Sequence, residues 1–175
     1  PDCPHTDKIG GGLFFYKDTV GPYGTAEEFF RETDGKIPGN IALLAGHCTA
    51  RAAVSGNVNR PLTEEEESRM LAILEKALQQ GAAGISLGLM YEPGLYAQQE
   101  ELKKVAKLCL KYDRPLTVHP RANSAVSMSY PQLLGRSHLL RAVDELVELV
   151  GDTKLKLHYS HAIFVGRRSF KNKNE

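Results

Sequence analysis

Four short segments with the length of β-strands stand out in the pattern of apolar and polar positions. Residues 41–45 are apolar throughout, and residues 83–89 form a largely apolar run that contains two glycines. Residues 116–119 form a third strand-like run between two prolines, and residues 154–161 form a fourth in which side chains alternate in polarity. Continuous apolar runs are typical of strands that are buried on both faces of a parallel sheet.

Apolar residues at helical spacing occupy the segments between these runs. Thr63 and Glu66 form a capping-box pair, which predicts a helix from there to about Gln80. Two further helices are predicted over residues 98–112 and 137–150. Strands that alternate with helices in this way require a parallel sheet with right-handed crossovers. The pattern therefore predicts an α/β fold built from parallel βα repeats.

The same pattern divides the chain into three parts. Residues 1–40 are rich in turn-forming residues and contain one short predicted helix, in which Phe29 and Phe30 form the buried face. Residues 41–166 form the βα domain, and residues 167–175 form a tail soon after the fourth strand. The chain begins in mid-loop without Met, so we expect an internal piece of a longer protein.

Composition excludes several classes of partner. The formal net charge of the 175 residues is +1, which provides no basic field for nucleic acid. No apolar run approaches the length of a membrane span. The three cysteines contain no Cys-x-x-Cys motif, so we expect a reducing, cytoplasmic setting rather than a disulfide framework.

Three of the four predicted strands end in or near a histidine, namely His47, His119 and His161. The carboxyl ends of parallel strands collect ligands and catalytic groups at one edge of a sheet. Adjacent strands lie roughly 5 Å apart, so two imidazoles there can reach one zinc-like ion. We therefore predict His119 and His161 as a metal-binding pair. The alternative is that these histidines are hydrogen-bonded structural groups, which is the more common role of a single strand-end histidine and is favoured still more for His47. No third ligand is convincing.

Two tyrosines follow the second strand-like run. Tyr91 and Tyr96 flank a Pro-Gly turn at its carboxyl end. Such a turn either holds a phenol over a pocket or serves only as structure, and the residues alone favour neither interpretation.

Six ordered segments resemble one known family. They are Gly46-His47, Arg51–Val54, Thr63–Glu66, Gly81–Leu89, Tyr91–Ala97 and Glu101-Leu102. Together they are similar to the N-acyl-D-amino-acid deacylases, or D-aminoacylases, of the amidohydrolase superfamily. His119 and Arg121 match the family's His-x-Arg strand end, and His161 matches its Ser-His strand end. The resemblance covers roughly residues 40–166, and the Tyr-x-Pro-Gly-x-Tyr-Ala loop is its most specific part.

This resemblance implies a partial TIM barrel that contains about strands three to six of eight. His119 and His161 would bind a divalent metal, with zinc expected, and Tyr91, Arg121 and His47 would lie near the substrate. The reaction implied is hydrolysis of the amide bond of an N-acyl-D-amino acid, or of a related amide, by metal-activated water. The catalytic base of the superfamily is an aspartate of the eighth strand, which is expected beyond this chain.

The chain departs from the family pattern at several positions. Asn123 stands where the family has an acidic residue, and Ile163 stands where it tends to have a lysine. Cys3 is a weak match to the family cysteine of the second strand. Asn123 and Ile163 leave open an alternative in which the barrel has lost its chemistry and binds a small molecule or a partner. A third interpretation is an unrelated α/β domain in which the histidines are structural.

A partial barrel has consequences for the isolated chain. A complete barrel needs about 250 residues, and a half barrel exposes the edges of its sheet. We expect the isolated chain to hide these surfaces by self-association and to be inactive as a hydrolase.

Overall fold

A computed structural model describes residues 24–131 and 135–174 of the chain. Within these ranges the chain alternates between strands and helices, as the pattern predicts. The elements are α1 (Ala26–Thr33), β1 (Leu44–Gly46), α2 (His47–Ser55), α3 (Glu64–Gln79), β2 (Gly84–Gly88), α4 (Gln99–Lys111), β3 (Leu116–His119), α5 (His138–Val150) and β4 (Leu157–Tyr159). Short 3-10 helices cover Gly94–Tyr96 and Ser169–Asn174.

The four described strands form one sheet in the order β1-β2-β3-β4, and every neighbouring pair is parallel. The α/β prediction with parallel βα repeats is therefore confirmed. In the β2–β3 register, Gly88 lies beside His119, and in the β3–β4 register Val118 lies beside Tyr159. The carboxyl ends of β2, β3 and β4 consequently meet at one edge of the sheet.

Close packing between β2 and β3 depends on a glycine at position 84. A Cβ there would lie 3.1 Å from the Leu44 side chain and in conflict with the carbonyl oxygen of Pro115. Because β2 lies between two strands at this point, only the absence of a side chain allows the observed approach.

The core lies between the sheet and the inward faces of α3, α4 and α5. Its largest fully buried apolar side chains are Met70, Leu74, Ile85, Leu89, Leu102, Leu116, Val105 and Val118. The strand residues among them alternate with half-buried ones, whereas the helix residues recur at three- and four-residue spacing. Burial of this apolar surface is the main stabilising contribution to such a fold.

The predicted capping box at the start of α3 is present. Thr63 Oγ1 accepts a hydrogen bond from the backbone N–H of Glu66 at 3.2 Å, and the Glu66 carboxylate accepts one from the backbone N–H of Thr63 at 2.9 Å. The short helix α1 begins after Thr25, whose Oγ1 accepts a hydrogen bond from the backbone N–H of Glu28 at 3.2 Å. Its fully buried residue is Ala26, whereas Phe29 and Phe30, the predicted buried face, are only partly buried.

Two predicted strand ends differ from the structure. His47 does not end β1, because that strand stops at Gly46 and His47 is the first residue of α2, a helix that the pattern did not predict. The last strand stops at Tyr159, so His161 lies beyond it. Its backbone has φ 58°, in the left-handed region that a non-glycine residue rarely adopts. The alternation of side chains along β4 therefore does not determine where His161 points.

The described sheet does not close into a barrel, and β1 and β4 are its outer strands. The self-association expected for such edges stays a prediction, as do the three domain boundaries. Residues 1–23, including Cys3, lie outside the described ranges. In the described part of the chain, none of the helices has the length and apolar character needed to cross a membrane.

Candidate metal site at the carboxyl ends of the strands

His119 is the last residue of β3, and the side chain of Tyr91 covers it. The two rings stack with their centroids 4.9 Å apart and their planes 15° apart. The phenol oxygen of Tyr91 is 3.1 Å from Nε2 of His119, within hydrogen-bond distance. Gly88 provides the space, because a Cβ at this position would lie 3.1 Å from the Tyr91 ring. The loop after β2 thus places a phenol directly on a strand-end imidazole.

The structure brings His161 to the same place. The ring centroids of His119 and His161 are 5.1 Å apart and their planes are inclined by 64°. His119 is half-buried, whereas His161 is exposed. The two predicted metal ligands are therefore neighbours, although their role as ligands stays a prediction.

The surroundings of His119 favour the neutral form of its imidazole. Burial lowers the pKa of His119, and the electrostatic interaction with His161 lowers it further. Its Nδ1 is buried and has no hydrogen-bond partner among the described residues. A neutral imidazole with an unpartnered nitrogen is the donor that zinc and similar ions take, so these side chains fit such an ion. Residues 24–131 and 135–174 contain no group of three or more His, Cys, Asp or Glu side chains arranged to hold a metal.

The predicted substrate residue Tyr91 lies at the surface above these strand ends, with 41% of its area exposed. Its loop is ordered by backbone hydrogen bonds, including one of 2.7 Å from the N–H of Leu95 to the carbonyl of Tyr91. The hydroxyl of Tyr96 donates to the carboxylate of Glu92. Both tyrosines of the Pro-Gly turn are therefore engaged, and Tyr91 is the one that contacts the histidine site.

Arg121, also predicted near the substrate, is buried, and its side chain contacts other protein groups. Its guanidinium group forms an ion pair with Glu145 of α5, with Nη2 and Oε1 2.8 Å apart. It also donates to the backbone carbonyls of Leu95 and Ala97. The tyrosine Tyr130 donates to the same glutamate at 3.1 Å. We call Arg121, Tyr130 and Glu145 the Arg121 cluster.

His47, the third residue predicted near the substrate, belongs to a different polar group. It is fully buried, and its Nε2 is 2.7 Å from Oε1 of Glu101 on α4. The same carboxylate accepts from Nε of Arg51 at 3.1 Å. Cys48 lies beside them and donates to the carbonyl of Gly88. We call His47, Cys48, Arg51 and Glu101 the Arg51 cluster.

The charges of the Arg51 cluster shift its pKa values. Burial opposes the charged form of each group, but the interactions within the cluster outweigh it. The pKa of His47 is raised by Cys48 and Glu101, and the pKa of Glu101 is lowered by His47 and Arg51. The pKa of Cys48 is lowered by His47. The cluster therefore favours a carboxylate between two cations.

Sequence reasoning missed Glu101 and Glu145 as partners in these clusters. A signal for Glu101 is present, because it precedes Val105 by four residues and so shares the inward face of α4. A buried carboxylate on such a face requires a cation partner. Glu145 gives a comparable signal, because it precedes Leu149 by four residues and both lie on the inward side of α5.

The departures from the resembled family also have defined positions. Asn123 is buried, and its Oδ1 has no partner among the described residues. Ile163 is 49% exposed, and its N–H donates to the carbonyl of His161 at 2.6 Å. Neither residue supplies the charge that the resembled family has at that position.

Comparison with solved structures identifies the fold class of this parallel βα sheet. The sheet and its alternating helices match the amidohydrolase barrel of the D-aminoacylases. A copper complex of a D-aminoacylase variant superposes with a TM-score of 0.74 at 25% identity, over 87% of this chain and 30% of that one. An N-acyl-D-glutamate deacylase from Bordetella bronchiseptica, complexed with zinc and a phosphonate inhibitor, superposes with a TM-score of 0.68 at 27% identity. The match covers 80% of this chain and 27% of that one.

Over most of its length, the chain is homologous to the D-aminoacylases and N-acyl-D-amino-acid deacylases. It is 30% identical to a D-aminoacylase of Alcaligenes xylosoxydans xylosoxydans over 78% of this chain and 26% of that protein. It is 28% identical to an N-acyl-D-aspartate deacylase of the same organism, over 87% of this chain and 30% of that protein. The chain thus spans less than a third of these relatives. No protein-family profile matches it.

Proposed function

We propose that this chain forms part of the active site of a metal-dependent amidohydrolase that acts on N-acyl-D-amino acids or a related amide. The observation that supports this most directly is the convergence of His119 and His161, whose ring centroids are 5.1 Å apart. Homology to deacylases of this class supports the same reaction. We propose zinc as the metal, because neutral imidazole donors suit it.

In this proposal, His119 and His161 hold the metal. A bound divalent cation would supply Lewis acidity toward the amide carbonyl and toward water. The lowered pKa of His119 keeps its imidazole neutral and available as a donor. Tyr91 orients His119 through stacking and its hydrogen bond, and the exposed part of its phenol contacts the substrate.

The other two predicted substrate residues have less support. The guanidinium of Arg121 is occupied by Glu145 and two backbone carbonyls, and the imidazole of His47 is fully buried against Glu101. Their contact with substrate stays a prediction, whereas Tyr91 lies where a ligand of the histidine pair can reach it.

A cobalt titration of the 175-residue chain tests the metal site. Co²⁺ reports imidazole ligation in its absorption spectrum, and calorimetry gives its affinity. We expect His119→Ala and His161→Ala each to weaken binding at least about tenfold, which is about 1.4 kcal/mol. His158→Ala is the matched control, because His158 is an exposed histidine of the same strand β4. Equal affinity in all three variants would contradict the proposed site.

The reaction is tested on the full-length protein that contains this sequence. We expect release of the free amino acid from N-acetyl-D-amino acids, and little release from their L enantiomers. The isolated chain is expected to hydrolyse neither. Hydrolysis that is unaffected by His119→Ala would count against the proposed role of this site.

A second candidate is a barrel that binds a ligand without hydrolysis. Two observations favour it: Asn123 is uncharged where the family has an acid, and the apolar Ile163 replaces a lysine near the histidine pair. The two candidates separate when Asn123→Asp and Ile163→Lys are introduced together into the full-length protein. Turnover that appears only in this double variant supports the binding role of the natural sequence.

A further inference from the structure

Arg121 makes more hydrogen bonds than an ion pair requires. Its Nε lies 3.1 and 3.0 Å from the two oxygens of Glu145, and its Nη2 lies 2.8 Å from Oε1. Its Nη1 donates to the carbonyl of Leu95 at 2.6 Å, and Nη2 donates to the carbonyl of Ala97 at 3.1 Å. One planar group therefore contacts a helix and a loop at once, which the fixed geometry of a guanidinium permits.

The two backbone carbonyls belong to the loop that carries Tyr91. Leu95 is joined to Tyr91 by its own backbone hydrogen bond of 2.7 Å, and the N–H of Ala97 donates to the carbonyl of Gly94 at 3.1 Å. Arg121 itself follows His119 by two residues in sequence. The guanidinium thus connects the segment that carries the imidazole with the loop that carries the phenol.

Glu145 fixes the position of the guanidinium from the side of α5. It accepts from the hydroxyl of Tyr130, and its backbone carbonyl accepts from the side-chain amide of Gln99 on α4 at 3.1 Å. The ring of Tyr130 is in turn covered by the guanidinium of Arg141, 4.7 Å from its centroid. Helices α4 and α5 therefore hold the carboxylate in place, and the carboxylate holds Arg121.

We infer that Arg121 and Glu145 are positioning residues, which place the phenol of Tyr91 on the imidazole of His119. In this role Arg121 acts through the backbone of Leu95 and Ala97 and does not contact a substrate. The geometric claim concerns Tyr91 and His119 alone, and its importance for catalysis rests on the proposed function. Lysine cannot replace Arg121, because a single ammonium group cannot reach the carboxylate and both carbonyls in one plane.

Nuclear magnetic resonance of the 175-residue chain, without metal, tests this inference. The stacked phenol shifts the ring protons of His119, and Tyr91→Leu defines the spectrum without that shift. We expect Glu145→Gln and Arg121→Lys to move the His119 signals toward those of Tyr91→Leu. Amide exchange at Leu95 and Ala97 should accelerate at least about tenfold in both variants, whereas exchange at Val105 in the core of α4 should not change.

The matched control is Asp144→Asn. Asp144 is adjacent to Glu145 on α5 and also pairs with an arginine, but its pair with Arg136 is exposed. This variant should leave the His119 signals and the exchange at Leu95 as in the parent chain. Parent-like spectra in Glu145→Gln and Arg121→Lys would overturn the inference.

Tyr130→Phe covers the case in which the other variants fail to fold. It removes one hydrogen bond from Glu145 and retains the ion pair, so a smaller shift of the His119 signals in the same direction is expected. No shift in a folded Tyr130→Phe chain, with the other variants unfolded, would also overturn the inference. Failure of the chain to bind Co²⁺ would contradict the proposed function. It would not bear on this inference, because these spectra are recorded without metal.

Discussion

The molecule contains two buried arginine–glutamate pairs that differ in what they connect. In the Arg51 cluster, Glu101 joins the start of α4 to α2, and Arg51 also donates to the backbone carbonyl of Arg60, ahead of α3 and remote from the histidine pair. In the Arg121 cluster, the glutamate comes from α5 and the guanidinium extends to the carbonyls of a loop. The same kind of ion pair therefore stabilises the core in the Arg51 cluster and helps to position a surface side chain, Tyr91, in the Arg121 cluster.

The two clusters also differ in how completely they are buried. Side chains of the Arg51 pair are 0% and 5% exposed, whereas those of the Arg121 pair are 8% and 16% exposed. Breaking an ion pair costs more where the remaining charge cannot reach water. The comparison predicts a larger loss of stability in the Arg51 cluster and a more local effect in the Arg121 cluster.

The largest expected effect is that of Glu101→Gln. It leaves Arg51 and His47 buried without a carboxylate, so the free energy of unfolding should fall by about 3 kcal/mol or more. Urea denaturation followed by circular dichroism measures this loss.

Glu100→Gln is the control for that measurement. Glu100 is the exposed neighbour of Glu101 and pairs with Lys103 at the surface, so its replacement should change stability by less than about 1 kcal/mol. Equal losses in the two variants would remove the distinction between a buried and an exposed pair.

Gly94→Ala is expected to have the next largest effect, because Gly94 packs against Cys48 of the Arg51 cluster and lies in the loop that Arg121 contacts. A Cβ there would lie 2.7 Å from Sγ of Cys48 and would also conflict with the carbonyl of Gly88. Overpacking of this kind costs about 2 kcal/mol, to be measured as a lowered thermal midpoint. Gly39→Ala is the control, since its Cβ would meet nothing within 4 Å. A Gly94→Ala chain as stable as the control would show that this contact relaxes freely.

The Arg51 cluster contains a buried histidine, so its contribution to stability depends on pH. The pKa of His47 is raised above 6.5 in the folded chain, so its stabilising contribution is complete below pH 6.5 and is lost as pH rises through the folded pKa. The stability difference between the parent and His47→Gln should therefore shrink with rising pH, by at most about 1.4 kcal/mol per pH unit. Taking this difference cancels His119, whose lowered pKa acts in the opposite direction. Both chains also carry Cys48→Ser, because the lowered pKa of that thiol depends on His47 and acts in the opposite direction at higher pH. A difference that then grows above pH 6.5 would contradict a raised pKa of His47.

The smallest effect is expected for Tyr130→Phe in the Arg121 cluster. It removes the hydroxyl that donates to Glu145, at a cost of about 1 kcal/mol in denaturant unfolding. Tyr159→Phe is the control, because Tyr159 is also half-buried and its hydroxyl makes no hydrogen bond in the described part of the chain. A loss for Tyr130→Phe as large as that for Glu101→Gln would end the distinction between the clusters.

Much of the fold could be predicted because its strands are short, apolar and separated by clear helices. The capping box at Thr63 marks the start of α3 by local chemistry alone. Helix α2 could not be predicted in this way, because it begins directly at His47 without a connecting loop and is only nine residues long. The Gly-His pair therefore had the pattern of a strand end, although the strand had already stopped.

The candidate site was predictable only where strand order determines proximity. His119 and His161 are neighbours because β3 and β4 are adjacent and parallel. The partner of Arg121 is 24 residues away in sequence, and the partner of Arg51 is 50 residues away. Such side-chain pairs depend on how helices pack against the sheet, which hydrophobic periodicity does not specify.

Position 88 offers a simple marker for comparing related chains. Gly88 leaves open the space that the Tyr91 ring occupies, beside His119, which is the register partner of Gly88 on β3. An alanine there would push the ring away by a few tenths of an ångström, and a branched side chain would displace it altogether. Relatives that keep a tyrosine after the second of these strands but carry a larger residue at the equivalent of position 88 should therefore hold that tyrosine elsewhere, with a differently shaped entrance to the histidine pair.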